Sequence, residues 1–145
     1  MIPIVLSDSF ASQMASVAAK AHSHPMSEGS IRSCFGNLYR SFGIFDGETL
    51  CGFAILHQIF EDATLMDICV EPGYQGRGFG KALLNAVIAI AKDRGAEVLL
   101  LEVRQSGGTA RALYEKLGFE TTGVRKGYYK TEVGSEDAIL MQLSL

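Results

Sequence analysis

The sequence predicts an α+β fold, in which a mixed central sheet of about six to seven strands is flanked by about four helices. Its length of 145 residues is typical of one domain, so we expect residues 1–145 to form a single domain. Short apolar stretches joined by short polar links fill the first half, a pattern typical of an antiparallel meander. Strand-like and helix-like patterns alternate in the second half, which adds further strands and the helices that cover the sheet.

Four strands and two helices are predicted before residue 71. The strands are Ile2–Leu6, Leu38–Phe45, Leu50–Ile59 and Ala63–Val70, with a hairpin signal between the second and the third. Ser9 is a candidate cap for a helix over Phe10–Ala21, whose apolar residues recur on one face. Pro25 interrupts the chain, and Ser27 is placed to cap a second helix that runs to about Phe35.

Two helices and three strands are predicted in the second half. Apolar residues at intervals of three and four predict a long helix over Gly78–Arg94, and Gly95 is a typical residue for its end. The remaining elements are a strand over Val98–Val103, a helix over Thr109–Leu117 and closing strands over Phe119–Val124 and Ala138–Leu143. Because Val98–Val103 is almost continuously apolar, we expect both of its faces to be buried.

Composition and charge narrow the class of protein. Hydrophobic residues make up 48% and charged residues 20%, which is typical of a globular protein. The net charge of −3 disfavours direct binding of nucleic acid and weakly favours a basic partner. Cys34, Cys51 and Cys69 are an odd set without close spacing, so we expect buried free thiols in a reducing compartment. With no signal peptide and no apolar run of membrane-spanning length, we expect a cytoplasmic protein without membrane contact.

A glycine-rich loop after Ala63–Val70 carries the clearest chemical signal. It runs Gln75-Gly76-Arg77-Gly78-Phe79-Gly80-Lys81 and leads into the long helix, whose first turn offers free N–H groups and a partial positive charge. Cations are disfavoured at that end by the helix dipole, so Arg77 and Lys81 predict an anion that neutralises them. The loop therefore indicates a site for a phosphate or a pyrophosphate.

Two common phosphate-binding motifs do not fit this loop. A Walker motif needs glycine at position 75 and serine or threonine at position 82, which are Gln75 and Ala82. A dinucleotide fingerprint needs a third glycine at position 81 or 83, which are Lys81 and Leu83. An ordinary glycine-rich turn without a ligand is the structural alternative.

The loop resembles the cofactor-binding loop of the GCN5-related N-acetyltransferases (GNAT). Gln75–Gly80 matches the Q/R-x-x-G-x-G/A motif of that family, and the usual Val-x-Pro precedes it at Val70–Pro72. Four further segments resemble the RimI-like ribosomal-protein alanine acetyltransferases of the family: Leu101–Arg104, Ala112–Phe119, Arg125–Tyr129 and Glu136–Met141. The resemblance covers nearly the whole chain and is strongest from Ala63 onward.

The resemblance implies the GNAT fold, acetyl-CoA as co-substrate and a set of site residues. It assigns Glu102 as the general base and Tyr114 as the general acid. The residues implied to bind acetyl-CoA are Ile68, Cys69 and Val70 through their backbone, Gln75, Gly76, Arg77, Gly78, Phe79, Gly80 and Lys81 around the phosphates, and Gly107 near the cofactor arm.

The catalytic pair has some support from the residues themselves. Glu102 is the only ionised side chain within Val98–Val103, and a buried carboxylate is costly unless it is paired or takes part in chemistry. The alternative is a structural ion pair with Arg104 or another cation. Tyr114 lies on the apolar face of its predicted helix, where the alternative is core packing with a satisfied hydroxyl.

Acetylation of an amine explains why such a pair is needed. The amine is protonated near neutral pH, so a base such as Glu102 has to remove a proton, directly or through a water molecule. Tyr114 is suited to protonate the departing thiolate, and main-chain N–H groups near Val70 are expected to face the developing oxyanion. Cys69 as a covalent nucleophile is disfavoured because no histidine lies near it in the sequence.

The chain departs from the RimI-like pattern at two positions. Gly107 stands where those sequences usually have an asparagine that touches the cofactor arm, so we expect Gly107-Gly108 to loosen the helix start and lower cofactor affinity. Met26 replaces the tryptophan that usually follows Pro25 on the acceptor side of the fold. The exact peptide preference is therefore left open.

Other polar groups carry weaker signals. The pair of histidines in His22–His24 has no Cys or Asp close by in the sequence, so no metal site is expected. Glu61 and Asp62 are expected to form a solvated turn, with binding of a peptide ammonium group as the alternative. Tyr128 and Tyr129 are expected either to gate the acceptor groove or simply to pack.

Three hypotheses about function follow. The leading one is an N-alpha-acetyltransferase that acts as a monomer or weak dimer. Its partner is the N-terminal peptide of a basic small-subunit ribosomal protein, and the resemblance implies alanine as the first residue of that peptide. The second keeps the enzyme and changes the acceptor to a lysine side chain or a small amine. The third is a non-catalytic acyl-CoA-binding or partner-binding module, against which the presence of both Glu102 and Tyr114 argues.

Overall fold

The computed structural model describes residues 2–145, which fold around one seven-stranded sheet. Its strands are β1 (Ile4–Leu6), β2 (Tyr39–Asp46), β3 (Thr49–Ile59), β4 (Asp62–Val70), β5 (Val98–Arg104), β6 (Glu120–Thr131) and β7 (Gly134–Ser144). The helices are α1 (Ala11–Ala21), α2 (Glu28–Arg32), α3 (Phe79–Asp93) and α4 (Gly108–Lys116). The predicted α+β class, with a mixed sheet and four helices, is confirmed.

The sheet has the strand order β1-β2-β3-β4-β5-β7-β6. Strands β2 to β4 form the predicted antiparallel meander, and β1 adds to its edge antiparallel to β2. The pairs β5–β7 and β7–β6 are also antiparallel. The pair β4–β5 is parallel and short, with Asp62 opposite Val98 and Thr64 opposite Leu100 as its first and last partners. Beyond Thr64 the carboxyl halves of these two strands are not paired with each other, and this break in the sheet positions the site.

Apolar side chains cover both faces of the sheet. Helix α3 buries Leu83, Leu84 and Val87 in one cluster, which also holds residues of β3, β5 and β7. Helix α1 buries Met14 and Val17 in a second cluster with residues of β3 and β4. Each such buried side chain contributes about 1.5–3 kcal/mol to folding. The apolar periodicity that predicted both helices therefore marks the faces that hold them against the sheet.

The helix starts agree only in part with the prediction. Ser27 caps α2 as expected, because its side-chain oxygen accepts a 3.1 Å hydrogen bond from the amide of Ser30. Ser9 does not cap α1, since a 3-10 turn over Asp8–Phe10 precedes the helix and the Ser9 hydroxyl bonds to Ser7 instead. Within residues 2–145, no helix is long and apolar enough to cross a membrane.

The expectation that β5 is buried on both faces is wrong. Leu99 and Leu101 are buried, whereas Glu102 is exposed to solvent. The reason is the break between β4 and β5, which leaves the carboxyl half of β5 beside an open space rather than beside a paired strand. Strands β6 and β7 also extend well beyond their predicted ends, because they continue into a long hairpin that turns at Glu132–Val133.

Candidate active site

A pocket of about 480 Å³ opens where β4 and β5 part. Its walls are residues 65–68 of β4 and residues 101–104 of β5, together with the end of α1, the loop to α2 and the start of α4. Tyr129 of β6 completes the lining. Of the predicted site residues, Glu102, Tyr114, Ile68 and Gly107 line this pocket.

Glu102 presents an accessible carboxylate to the pocket. Its side chain keeps 29% of its surface exposed, so the expected cost of burying a carboxylate does not arise. Oε1 accepts a 2.7 Å hydrogen bond from the Tyr129 hydroxyl, and Oε2 lies 4.0 Å from Nε of Arg125. Arg104, the partner expected if Glu102 were structural, pairs with Glu136 instead at 3.6 Å. The carboxylate is therefore oriented by neighbours and still open to a ligand.

A bulge in β6 brings Tyr129 to Glu102. Register between β6 and β7 shifts between Arg125 and Tyr129, and Gly127 in this bulge has a φ of +59°, a conformation that favours glycine. The Asp137 carboxylate on β7 accepts a 2.8 Å hydrogen bond from the Gly127 amide. The residues after the bulge are thereby fixed in register.

Tyr129 is held as a neutral hydrogen-bond donor. Burial and the hydrogen bond to the Glu102 carboxylate raise the pKa of its phenol. The Arg104 guanidinium lies 4.0 Å from the centre of its ring, a cation–π contact. Tyr128, by contrast, is 51% exposed and does not line the pocket. The two neighbouring tyrosines, for which one shared role was expected, therefore differ in their surroundings.

Tyr114 contributes a buried phenol to the pocket wall. It is 5% exposed, and its ring packs 5.7 Å from that of Phe119 in the core. Burial, followed by the nearby charge of Asp67, raises the pKa of its hydroxyl, so the group stays protonated at neutral pH. The ring therefore packs in the core, as the structural alternative expected. The hydroxyl, however, forms no hydrogen bond among residues 2–145, so no acceptor in this part of the chain holds its proton.

The glycine-rich loop lies outside the pocket, between β4 and α3. Gly76 and Gly78 have φ values of +79° and +82°, which explains glycine at both positions through backbone conformation. Gly78 is the cap residue of α3. The Gln75 side chain donates a 2.9 Å hydrogen bond to the carbonyl of Val70 and so ties the loop to the end of β4. Gln75 thus holds the loop in place against the strand.

The two cations of the loop fit an anionic ligand. Arg77 and Lys81 are exposed, and neither forms an ion pair within residues 2–145. The Arg77 guanidinium lies 5.3 Å from the ring centre of Tyr74. Unpaired cations beside the free amides of a helix start form an arrangement suited to the phosphates of acetyl-CoA. Phe79 and Gly80 form the first turn of that helix, next to Lys81.

The three residues at the end of β4 that were predicted to contact the cofactor have different surroundings. Ile68 lines the pocket, and Val70 lies at the end of the strand, next to the start of the loop. Cys69 is buried against α1 and not in the pocket lining. Cys34 and Cys51 are buried and free as well, as expected.

An added side chain at Gly107 would be crowded. A Cβ atom at this position would lie 3.0 Å from Cγ2 of Val103 and 3.1 Å from the carbonyl oxygen of Arg104. Its amide donates a 2.9 Å hydrogen bond to the same carbonyl. A side chain at this position therefore requires its neighbours to shift, whereas nothing lies within 4 Å of a Cβ built at Gly108.

Sequence reasoning missed the pair of His22 and Asp67. Nε2 of His22 donates a 2.9 Å hydrogen bond to Oδ1 of Asp67, and both residues line the pocket. That bond and the charge of Asp67 raise the pKa of the His22 imidazole, against the opposing effect of burial. The expectation that no histidine lies near Cys69 is true only of the sequence. In space, a ligand atom of His22 lies within 4.8 Å of the Cys69 sulfur.

The Cys69 thiol is nevertheless a poor candidate nucleophile. Burial and the charge of Asp67 raise its pKa far above the ordinary range, and only a thiolate is strongly nucleophilic. Glu61 and Asp62 lie at the paired end of β4, outside the pocket lining, and are exposed as expected for a solvated turn. Met26 lines the pocket on the side of α1 and α2.

Comparison with known proteins agrees with this geometry. The acetyltransferase (GNAT) family model matches residues 11–119. The ribosomal protein bS18-alanine N-acetyltransferase of Escherichia coli (strain K12) is 41% identical over 129 residues, covering 89% of this chain and 87% of that protein. The protein of the same name from Haemophilus ducreyi is 34% identical over an alignment that covers 100% of both chains.

Solved structures show the same relationship. The crystal structure of the ribosomal-protein-S18-alanine N-acetyltransferase from Escherichia coli superposes with a TM-score of 0.93 at 38% identity, covering 98% of this chain and 92% of that one. The residues matched by the family model include β4, the glycine-rich loop and α3. The chain therefore belongs to the GNAT family of acetyl-CoA-dependent N-acetyltransferases.

Proposed function

We propose that this protein acetylates the N-terminal alanine of ribosomal protein bS18, as the names of its relatives state for them. The observation that carries the proposal is the pocket at the break between β4 and β5, where an accessible carboxylate and a protonated phenol face one space. A free α-amine entering that space meets a proton acceptor in Glu102 and a proton donor in Tyr114.

Glu102 and Tyr114 divide the proton transfers. Acetyl-CoA supplies an activated acetyl thioester. Glu102 takes a proton from the incoming ammonium, directly or through a water molecule, which frees the nitrogen lone pair for attack. Glu102 passes this proton to solvent, and the attacking nitrogen loses its second proton to Glu102 or solvent as the intermediate collapses to the amide. Tyr114 gives its proton to the departing sulfur and is reprotonated from solvent. Main-chain N–H groups near Val70 are suited to face the carbonyl oxygen as negative charge develops there.

The co-substrate is assigned to the surface that continues from the pocket to α3. Its pyrophosphate is expected at the start of α3, with Arg77 and Lys81 as the neutralising cations. The pantetheine arm is expected along the backbone of Ile68, Cys69 and Val70, which leads from the loop to the pocket. Gly107 marks the far side of this path at the start of α4.

The acceptor peptide is assigned to the side formed by α1, α2 and the hairpin β6–β7. Met26 and His22 line the pocket from the helices and Tyr129 lines it from the hairpin. The net charge of −3 suits a basic client protein. We further propose that residues 1–145 act as one domain in the cytoplasm, as a monomer or weak dimer, without direct contact to nucleic acid or membrane.

A lysine side chain or a small amine is the second candidate acceptor, because Glu102 is accessible and any amine needs the same proton removal. A module that only binds acyl-CoA is the third. It is disfavoured because the Glu102–Tyr129 hydrogen bond orients a carboxylate that binding alone does not need.

Three peptides distinguish these candidates. The protein is mixed with acetyl-CoA and one of a peptide beginning Ala-Arg, a peptide beginning with Met, or a peptide blocked at its N-terminus that carries internal lysines, and release of free thiol is followed. We expect turnover with the Ala-Arg peptide. Turnover confined to the blocked peptide would transfer the assignment to lysine acetylation. Binding of CoA without any turnover would identify a module.

A further inference from the structure

Three metal-ligating side chains meet beside the pocket although they are far apart in the sequence. His22 directly follows α1, and Asp67 and Cys69 lie two residues apart on β4, so that their side chains share one face of the strand. One ligand atom of each residue lies within 4.8 Å of the other two. The packing of α1 on β4 thus brings together a nitrogen, an oxygen and a sulfur donor.

Hydrogen bonding within the protein leaves part of this cluster unused. Oδ1 of Asp67 accepts bonds of 2.9 Å from Nε2 of His22 and 2.9 Å from the amide of Ile68. Oδ2 of the same carboxylate is buried and has no hydrogen-bond partner among residues 2–145. A buried polar atom without a partner is costly, so Oδ2 is free to accept a bond from a water molecule or an ion. The Cys69 sulfur also forms no hydrogen bond within the described part of the chain.

We propose that His22, Asp67 and Cys69 form a binding site for a borderline divalent transition-metal ion, represented by Zn²⁺. Imidazole, carboxylate and thiolate are the donors that zinc takes in proteins, at bond lengths of about 2.0–2.3 Å. The three donor atoms already lie within 4.8 Å of one another, so we infer that rotation of the side chains brings them to such bond lengths. On binding, the Cys69 thiol releases its proton to solvent, and the His22 ring loses its proton at Nε2 and is left neutral with a proton on Nδ1. The ion then takes the place of the direct His22–Asp67 hydrogen bond.

The pocket gives the ion a way in. His22 and Asp67 line it, so the ion can reach them from solvent without unfolding of the core. Three protein ligands leave a fourth tetrahedral position, which opens to the pocket and takes a water molecule. The site would differ in this respect from a closed structural zinc site. It does not depend on the identity of the acceptor peptide, and it stands or falls separately from the proposed function.

Cobalt(II) is the probe for this site, because a thiolate bound to it gives a near-ultraviolet charge-transfer band. The full-length protein is stripped with a chelator and titrated with Co²⁺, and Zn²⁺ is then added. We expect saturation at one ion per chain, a charge-transfer band with tetrahedral visible bands, and displacement by Zn²⁺. Cys69→Ser should abolish the near-ultraviolet band, and Asp67→Asn and His22→Gln should each weaken binding by about tenfold or more.

Two control variants test the location. His24→Gln changes another histidine of the same pocket, and Cys51→Ser changes another buried thiol. Both should bind Co²⁺ as the unchanged protein does, and circular dichroism shows which variants are folded. The proposal is overturned if the unchanged protein gives no charge-transfer band. It is also overturned if Cys69→Ser keeps the band or if Cys51→Ser loses it while folded. Should Cys69→Ser not fold, the affinities of Asp67→Asn and His22→Gln decide alone.

Discussion

The Tyr129 hydroxyl donates a 2.7 Å hydrogen bond to Oε1 of Glu102, so a residue of β6 orients a carboxylate of β5 across the strand between them. This reach depends on the bulge before Tyr129, which Asp137 of β7 stabilises through the Gly127 amide. The hairpin β6–β7 therefore does more than close the sheet. It sets the direction in which the proposed base points.

Tyr129→Phe should lower kcat by about tenfold, because loss of one hydrogen bond to a charged group removes about 1.4 kcal/mol of positioning. The KM for acetyl-CoA should not change, since Tyr129 is remote from the glycine-rich loop in the proposed binding mode. Steady-state rates with the Ala-Arg peptide measure both quantities. Tyr128→Phe is the matched control, because that phenol has no hydrogen bond to Glu102. Equal rates for the two variants would show that the Tyr129 hydroxyl does not position the base.

Asp137→Ala should loosen the bulge and lower both Tm and kcat. The hydrogen bond that the Gly127 amide donates, and next the Lys126 ammonium, hold the pKa of the Asp137 carboxyl below its usual value. A carboxyl whose pKa is lowered by folding stabilises the protein at pH values above its unfolded pKa of about 3.9. This contribution is lost as pH falls through the pKa of the folded state. The Tm of the variant should therefore lie below that of the unchanged protein at neutral pH, and the two Tm values should become equal at acidic pH. A Tm difference that persists at low pH would contradict this origin.

Tyr114 should make the protein sensitive to alkali. Burial, and then the charge of Asp67, raise the pKa of its phenol in the folded state. The free energy of unfolding should therefore be unaffected by this group below its unfolded pKa of about 10, and should fall as pH rises from there through the pKa of the folded state. Urea unfolding at pH values on both sides of that unfolded pKa measures the loss. Tyr114→Phe should show a smaller loss than the unchanged protein, and an equal loss in both would assign the effect to other groups.

The two glycines at the start of α4 should respond oppositely to alanine. Gly108→Ala should raise the free energy of unfolding by about 0.5–1 kcal/mol, because alanine favours a helix and the added Cβ meets nothing. Gly107→Ala should lower it by about 1 kcal/mol, because its Cβ is forced against Val103 and the carbonyl of Arg104. Chemical denaturation of both variants tests this. A Gly107→Ala protein as stable as Gly108→Ala would show that the crowding is relieved freely.

Arg77→Ala and Lys81→Ala should each weaken acetyl-CoA binding by about three- to tenfold, with little change in kcat. Each removes a cation from the start of α3, where the phosphates are assigned, and the loss should shrink at high salt. Lys92→Ala, at the opposite end of the same helix, is the control. Calorimetry with acetyl-CoA gives the dissociation constants. Equal affinities of all three variants for acetyl-CoA would contradict the assignment of its phosphates to this loop.

Local signals in the sequence predicted much of the fold. Short apolar stretches separated by turn residues predicted β2 to β4, and apolar residues at intervals of three and four predicted α3. The glycine-rich loop was also recognised from the sequence. The structure adds that Gly76 and Gly78 have positive φ values, which explains why glycine is needed at these two positions. The Ser9 cap was wrong because a serine before a helix can equally join a 3-10 turn.

Contacts between distant elements were not predictable in this way. The near-continuous apolar run of β5 hid the exposure of Glu102, which depends on where pairing with β4 stops. His22 and Asp67 meet only because α1 packs on β4, and no spacing along the chain records that. The bulge at Gly127 depends on an acceptor from β7. Periodicity reports burial within an element, whereas such pairs are set by how elements pack.

The role of Glu102 is tested most directly by the pH dependence of acetyl transfer to the Ala-Arg peptide, measured for Glu102→Gln beside the unchanged protein. Loss of a general base should lower the rate by about 100-fold or more near neutral pH. The variant should recover part of this loss as pH rises and the peptide amine loses its proton without help. A Glu102→Gln protein with an unchanged rate at every pH would contradict the assignment of Glu102 as the base.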